Sequence, residues 1–193
     1  MGLPYRTIRP LLAAALLLAG LLLPQAARAQ TMGSDAWAKA RLVITFSRFV
    51  QWPARAFAHE DSPLHVCVVQ DSPVLAEAFR RQLATPPAGR PLQLVWWPAP
   101  GSQAAAGASC HLLYIDDSAP RRLAELLPPP DAPVLTMAQQ DGFASRGGMV
   151  ELVVVNDALR FDVNLSALHR AELGVRAGAL KLAREVLRED PRR

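Results

Sequence analysis

The chain has 193 residues, the length of a single domain. Apolar residues make up 51% and charged residues 20%, and this composition excludes a disordered chain because it can bury enough apolar surface to offset the entropy of ordering. The formal net charge of +4 falls to +1 when the three arginines of residues 1–29, a segment without acidic residues, are left out. This balance argues against a nucleic-acid-binding domain, which needs a basic face.

The first segment has the three-part pattern of a secretory signal peptide. Two arginines precede the apolar run Leu11–Leu23, and Ala27-Arg28-Ala29 supplies small residues at alternate positions for a signal peptidase. The alternative is a membrane anchor, but the run is shorter than the about 20 apolar residues that span a bilayer. We therefore expect residues 1–29 to be a signal peptide and residues 30–193 to be one exported domain.

The exported part begins with a pattern typical of an amphipathic helix. Ser34 is a candidate N-cap, and apolar residues recur at intervals of three and four from Trp37 to Val50. The helix is expected to finish in Arg48-Phe49-Val50-Gln51-Trp52-Pro53, because proline interrupts helical hydrogen bonding.

The middle of the chain alternates between strand and helix patterns. The predicted strands are Leu64–Val69, Leu92–Trp96, Cys110–Ile115 and Pro133–Thr136, and the predicted helices are Pro73–Leu83 and Ala119–Leu127, the second capped by Ser118. Residues 101–109 are predicted to form a loop or a short helix. Strands separated by helices indicate a parallel sheet covered by helices.

The last third of the chain has a different pattern. Met149–Val155 and Leu159–Val163 are β-rich runs joined by Asn156-Asp157-Ala158, which predicts an antiparallel hairpin. Asn164 is expected to cap a helical region that continues to Leu187, with interruptions at two glycines. The predicted fold class is therefore α/β, a single domain with a mostly parallel sheet and a C-terminal antiparallel hairpin.

The two cysteines, Cys67 and Cys110, are predicted to form a disulfide. An even number of cysteines in an exported chain favours one bond. If the two predicted strands are neighbours, their spacing of about 4.8 Å brings the cysteines within bonding range. The alternative is a metal site that also uses His65 and His111. The usual ligand spacings are missing, however, and His111 should point away from Cys110, so we predict neither a metal nor another cofactor.

No catalytic motif stands out in the sequence. The serine-hydrolase elbow, the H-E-x-x-H zinc motif, the P-loop and the dinucleotide glycine pattern are missing from it. Asp116 and Asp117 follow a predicted strand, where open α/β sheets bind ligands, but a polar loop before the next helix is the favoured interpretation. Gly147 and Gly148 could bind an anion through backbone amides. A tight turn is favoured there, since no helix follows.

Seven segments together resemble the YfiR family of periplasmic proteins over residues 37–187. They are Phe46–Pro53, Pro63–Val69, Gly89–Leu92, Cys110–Ile115, Pro133–Thr136, Gly142-Phe143 with Gly147-Gly148-Met149, and Arg160–Leu165. The resemblance implies a Rossmann-like α/β sandwich without enzyme activity. It also implies a repressor that binds the periplasmic part of an inner-membrane diguanylate cyclase or related sensor and holds it inactive, lowering cyclic di-GMP and biofilm formation.

Regulation by contact needs exposed aromatic and arginine anchors, since such residues carry most of the binding energy of interfaces. The candidate partner-binding residues are Trp52, Pro53, Arg146, Gly147, Gly148, Met149, Arg160 and Phe161. The alternative for Trp52 and Phe161 is a place in the core. A homodimer is a further possible assembly. The second function considered is a small-ligand sensor, or solute-binding protein, with its site at the carboxyl edge of the sheet. An exported hydrolase is disfavoured because no nucleophile and base pair is evident.

Overall fold

The computed structural model describes residues 33–84, 90–96, 110–119 and 126–188. Its strands are β1 (Val50–Gln51), β2 (Leu64–Val69), β3 (Leu92–Trp96), β4 (Leu112–Ile115), β5 (Leu135–Ala138), β6 (Val150–Val155), β7 (Ala158–Asn164), β8 (Gly174–Val175) and β9 (Glu185–Leu187). Seven of them form one sheet in the order β3-β2-β4-β5-β6-β7-β9, and β1 and β8 form a separate antiparallel pair. The proposed signal peptide lies outside the described residues.

The main sheet is mostly parallel, as predicted. Strands β2 to β6 pair in parallel, β7 pairs with β6 antiparallel, and β9 pairs with β7 in parallel. The predicted hairpin is confirmed as the β6–β7 pair. Its loop residues Asn156 and Asp157 have φ angles of 49° and 58°, which suit the two-residue turn whose twist matches that of paired strands. The Rossmann-like α/β fold is therefore confirmed.

Four α-helices accompany the sheet within the described residues, α1 (33–47), α2 (Pro73–Ala84), α3 (Leu165–Arg170) and α4 (Ala177–Leu180), and Ala54–Ala56 forms a short 3-10 helix. Helix α2 begins at Pro73 as predicted and ends one residue later than expected. Two expectations for α1 are wrong. Residue 33 is already helical, so Ser34 is not the N-cap, and the helix ends at 47, well before Pro53. The physical reason for the early end is that Val50–Gln51 pairs with β8.

The prediction of a helical region up to Leu187 is also wrong. Asn164 does cap α3, since its Oδ1 accepts a hydrogen bond from the Ala167 amide at 2.9 Å. After α3 the chain turns at Glu172, whose φ is 56°, and Glu185–Leu187 forms β9 along β7. Pairing with a strand distant in sequence outweighs a local helix pattern here.

Four further predictions differ from the structure or cannot be compared with it. Strand β4 begins at Leu112 and β5 spans Leu135–Ala138, two residues later than the predicted starts. Most of the predicted helix Ala119–Leu127 and the whole of 101–109 lie outside the described residues.

Apolar side chains pack on both faces of the sheet. The larger cluster joins β2, β4, β5, β6 and β7 to α1, α2 and α3. The smaller one lies on the opposite face and includes Cys67, Ile115 and Phe143. Cys67 of β2 and Cys110, just before β4, form the predicted disulfide with their Cα atoms 5.8 Å apart. No thiolate among the described residues therefore remains for the alternative metal site.

Within the described ranges, no helix has the length and apolar character required to cross a bilayer.

Candidate functional site

The β6–β7 hairpin separates the candidate residues onto two faces. Directly opposed residues of an antiparallel pair share a face, and neighbours along a strand alternate. Leu152 opposes Phe161 and Val153 opposes Arg160. Phe161 therefore faces the larger core with 7% of its surface exposed, whereas Arg160 is exposed on the opposite face. Phe161 therefore lies in the core, which was the alternative to a partner contact. Its ring packs edge-on against that of Phe46, with the ring centroids 5.3 Å apart.

The turn of residues 141–148 is held over the Arg160 face by a buried carboxylate. The amides of Gly142 and Ala144 donate to the two oxygens of Glu151 at 2.8 and 3.0 Å. The side-chain amide of Asn164 donates a hydrogen bond to the Ala144 carbonyl at 2.8 Å. Glu151 opposes Asp162 and so shares the face of Arg160. The turn is therefore a fixed element of this face.

The two glycines of this turn have structural roles. Gly147 has a φ of 100°, which disfavours any residue with a Cβ. A Cβ on Gly148 would lie 2.4 Å from the Phe143 ring. The amides of both glycines donate to backbone carbonyls inside the turn, so these amides are not free to bind an anion. The geometry supports the tight-turn interpretation.

The turn, the hairpin and the residue before β9 present the exposed arginines Arg146, Arg160 and Arg184, which we call the arginine face. Arg184 donates to the buried carboxylate of Asp162, with its Nε 2.8 Å from Oδ1, and this bond raises the pKa of its guanidinium. Among the described residues, neither Arg146 nor Arg160 has an ion-pair partner. Gly148 is buried within the turn and Met149 is buried in the larger core, so neither is exposed for contact with a partner.

The remaining candidates, Trp52 and Pro53, lie elsewhere. Both are half-buried, and the Trp52 indole donates to the His111 carbonyl at 3.1 Å. Trp52 packs against the larger core. The eight candidates therefore do not form one patch, and Arg146, Gly147 and Arg160 are the ones that are exposed.

His111 is part of a buried structural contact beside the disulfide. Its Nδ1 accepts from the His65 amide at 3.0 Å and its Nε2 donates to the Ala56 carbonyl at 2.9 Å. Its ring stacks on Phe57 with centroids 4.5 Å apart. Burial lowers the pKa of His111, with a smaller contribution in the same direction from the positive charge of Arg90. The neutral ring suits both hydrogen bonds.

A buried lysine at the carboxyl end of β4 was not predicted from the sequence. Lys39 of α1 places its Nζ 3.3 Å from Asp116, 3.2 Å from Asp117 and 3.0 Å from Asp35. The Lys39 side chain is 7% exposed and that of Asp116 is 3% exposed. The sequence did contain a signal for the burial of Lys39, because this residue lies on the apolar side of α1 together with Ala36, Ala40 and Val43.

Asp116 is satisfied entirely by the protein. The Tyr114 hydroxyl donates to it at 2.8 Å, and both the amide and the hydroxyl of Ser118 donate to its other oxygen. Burial alone would raise the pKa of Asp116, but the Ser118 hydrogen bonds, the charge of Lys39 and the Tyr114 bond together lower it. Asp116 lies in the predicted polar loop after β4, but it is buried there and belongs to an ionic cluster that ties α1 to the sheet. Asp117 is exposed, as such a loop would require.

The second unexpected feature is an apolar groove between α1, the hairpin and α4, with a volume of about 680 Å³. Its lining comes from α1 and the turn after it, α2, β7 and the region of α4: Trp37, Ala38, Arg41, Leu42, Thr45, Phe46, Phe49, Gln82, Leu159, Phe161, Ala179 and Leu182. Trp37 is 36% exposed and Leu182 is 68% exposed at its rim. Phe161, predicted as a partner contact, lines this groove.

These features define the class of the protein: an α/β domain whose buried polar groups are used for structure, with an arginine face on one side of the hairpin and an apolar groove on the other. A family model described as YfiR/HmsC-like matches residues 37–184. The chain belongs to this family, and the resemblance drawn from the sequence is confirmed. No curated protein matches the chain.

Proposed function

We propose that the protein is a non-catalytic periplasmic regulator that binds the periplasmic part of an inner-membrane diguanylate cyclase and holds it inactive, lowering cyclic di-GMP and biofilm formation. The observation that carries this proposal is membership of the YfiR/HmsC-like family over residues 37–184. The signal-peptide pattern of residues 1–29 supports export.

The arginine face is the proposed contact surface. Arg146 extends from a turn fixed by Glu151, and little conformational entropy is lost when such a pre-ordered backbone binds. Arg146 and Arg160 have no carboxylate partner within the described chain, so an acidic surface on the cyclase can pair with both guanidinium groups. Arginine is also enriched among the residues that dominate interface energies.

The decisive experiment is deletion of the gene followed by complementation. The deletion should raise cyclic di-GMP, and the wild-type chain should restore the low level. Arg146→Glu and Arg160→Glu should fail to restore it, while their melting temperatures stay within about 2 °C of wild type, because exposed substitutions change stability by about 0.5 kcal/mol or less. Arg48→Glu is the matched control, since Arg48 is exposed at the end of α1 on the opposite side of the sheet.

The outcomes separate the two parts of the proposal. Unchanged cyclic di-GMP in the clean deletion rejects the repressor function. If the deletion raises cyclic di-GMP and both arginine variants restore the low level, the repressor function stands, but the arginine face is rejected as the contact surface.

Export has its own test, N-terminal sequencing of the protein from a periplasmic extract. We expect the sequence to start at Gln30. Recovery only in membranes with Met1 intact would contradict cleavage and favour an anchor.

A further inference from the structure

We propose that the apolar groove binds a fatty acid, with the acyl chain lying along the groove and the carboxylate paired with Arg41. The site is distinct from the arginine face, because the groove lies on the Phe161 side of the hairpin and the arginine face on the Arg160 side. The proposal does not depend on the identity of any membrane partner.

The size and lining of the groove suit an acyl chain. Its volume of about 680 Å³ falls within the range of about 300 to 1,000 Å³ found for small-molecule sites. The walls are apolar side chains from separate elements, and two of the largest, Trp37 and Leu182, remain substantially exposed. An α-helix about 10 Å across would fill this volume in less than two turns, so one acyl chain fits better than a helix of a partner protein.

The charges around the groove select an anionic head group. Arg41 is the single charged residue among those lining it, and the other polar lining residues, Thr45 and Gln82, are neutral hydrogen-bonding groups. Arg41 has no ion-pair partner within the described residues. Its planar guanidinium can donate two parallel hydrogen bonds to a carboxylate.

Two acidic groups on the helices that line the groove are already paired. Glu77 of α2 accepts from Arg81 at 2.6 Å, and Asp35 of α1 is 3.0 Å from Lys39. The guanidinium of Arg81, the partner of Glu77, lies 5.9 Å from the centre of the Trp37 ring. A carboxylate entering the groove would therefore meet Arg41 and no acidic side chain among the described lining residues.

The position of Trp37 provides a direct binding signal. Titration of the purified exported protein with 9,10-dibromostearate should quench tryptophan fluorescence, because the bromine atoms would lie beside the indole. Trp37→Phe should lose most of this quenching while isothermal titration calorimetry with myristate still shows binding. Quenching that is unchanged in Trp37→Phe would place the ligand elsewhere and overturn the proposal.

The head group and the tail are tested separately by calorimetry with decanoate, laurate and myristate below their micelle concentrations. Each two added methylenes should tighten binding by up to about fifteenfold while the tail is being buried. Arg41→Gln should weaken myristate binding by about tenfold or more, the usual worth of a charged hydrogen bond, and leave 1-tetradecanol unaffected. Arg48→Gln is the matched control, because Arg48 is an exposed arginine just after α1 that is not among the lining residues.

The results either support the site or reject it. Absence of myristate binding, equal loss in Arg41→Gln and Arg48→Gln, or equal affinity for myristate and tetradecanol would each overturn it. Leu182→Asp, at an exposed position of the rim, should weaken the acid and the alcohol alike; unchanged binding of both would also reject the groove.

Discussion

Replacement of Lys39 by methionine should strongly destabilise the protein. Methionine keeps an unbranched side chain of similar length but removes the ammonium group that lies 3.3 Å from the buried Asp116 carboxylate. Asp116 retains its hydrogen bonds from Tyr114 and Ser118. Its charge, however, would then lie beside Asp117 without a compensating cation.

The expected cost follows from the burial of the pair. Removing one partner of a buried ion pair costs about 3 to 5 kcal/mol. We expect the lower end, about 3 kcal/mol, since Asp116 keeps those hydrogen bonds and the side chains of Asp35 and Asp117 are 45% and 54% exposed. For a domain of this size, each 1 kcal/mol lowers the melting temperature by about 2 to 4 °C, so Lys39→Met should melt about 6 to 12 °C below wild type.

A double-mutant cycle in urea separates the charge effect from lost packing. Adding Asp116→Asn to Lys39→Met removes the uncompensated carboxylate, so the double variant should regain about 1 kcal/mol or more of the free energy of unfolding. Lys181→Met is the control, because Lys181 is exposed and has no ion pair within the described chain. It should change stability by about 0.5 kcal/mol or less.

The pH dependence has a definite sign. In wild type the pKa of Asp116 is lowered, so its stabilising contribution is present above the unfolded value near 4 and is lost as pH falls through the folded value. Without Lys39 the pKa of Asp116 rises, and the stability gap between Lys39→Met and wild type should narrow as the pH falls toward 4. A Lys39→Met variant that melts within about 2 °C of wild type, or a gap that widens in acid, would refute the reasoning.

Three further predictions concern stability. Cys67→Ala should lower the free energy of unfolding by about 4 kcal/mol, because the disulfide spans a sequence separation of 43; alkylation of wild type without reductant should label neither cysteine, and labelling of both would contradict the bond. Because the pKa of His111 is lowered in the folded protein, the free energy of unfolding should fall as the pH drops below 6.5 toward the folded pKa. In urea unfolding, this free energy should depend less on pH in His111→Gln than in wild type. Gly148→Ala should cost about 1 to 3 kcal/mol, since the new Cβ meets the Phe143 ring, whereas Gly178→Ala, with its nearest contact at 3.9 Å, should be close to neutral in thermal melts.

The strands and the hairpin could be predicted from the sequence because their signals are local. The apolar runs of Leu64–Val69 and Leu92–Trp96 correspond residue for residue to β2 and β3. Asn156 and Asp157 are residue types that tolerate positive φ, so they marked the turn between β6 and β7. The disulfide was also predictable, from the cysteine number, the export pattern and the strand positions.

The end of the chain was not predictable in the same way. Its pattern of apolar and charged residues suits a helix, but the last described strand pairs with β7 through Val163 and Val186. Hydrogen bonds to a sheet edge formed by distant residues outweigh a local preference of a few tenths of a kcal/mol per residue.

The sequence by itself therefore determined the fold class, the family resemblance, the disulfide and the exposed arginines Arg146 and Arg160. The tertiary structure decided which groups meet. Lys39 and Asp116 are 77 residues apart, and the groove combines α1 with β7 and α4. Local patterns report which side of an element is apolar, but they contain no information about which distant element covers that side. The ionic cluster and the groove depend on which elements pack together, and only the tertiary structure determines that packing.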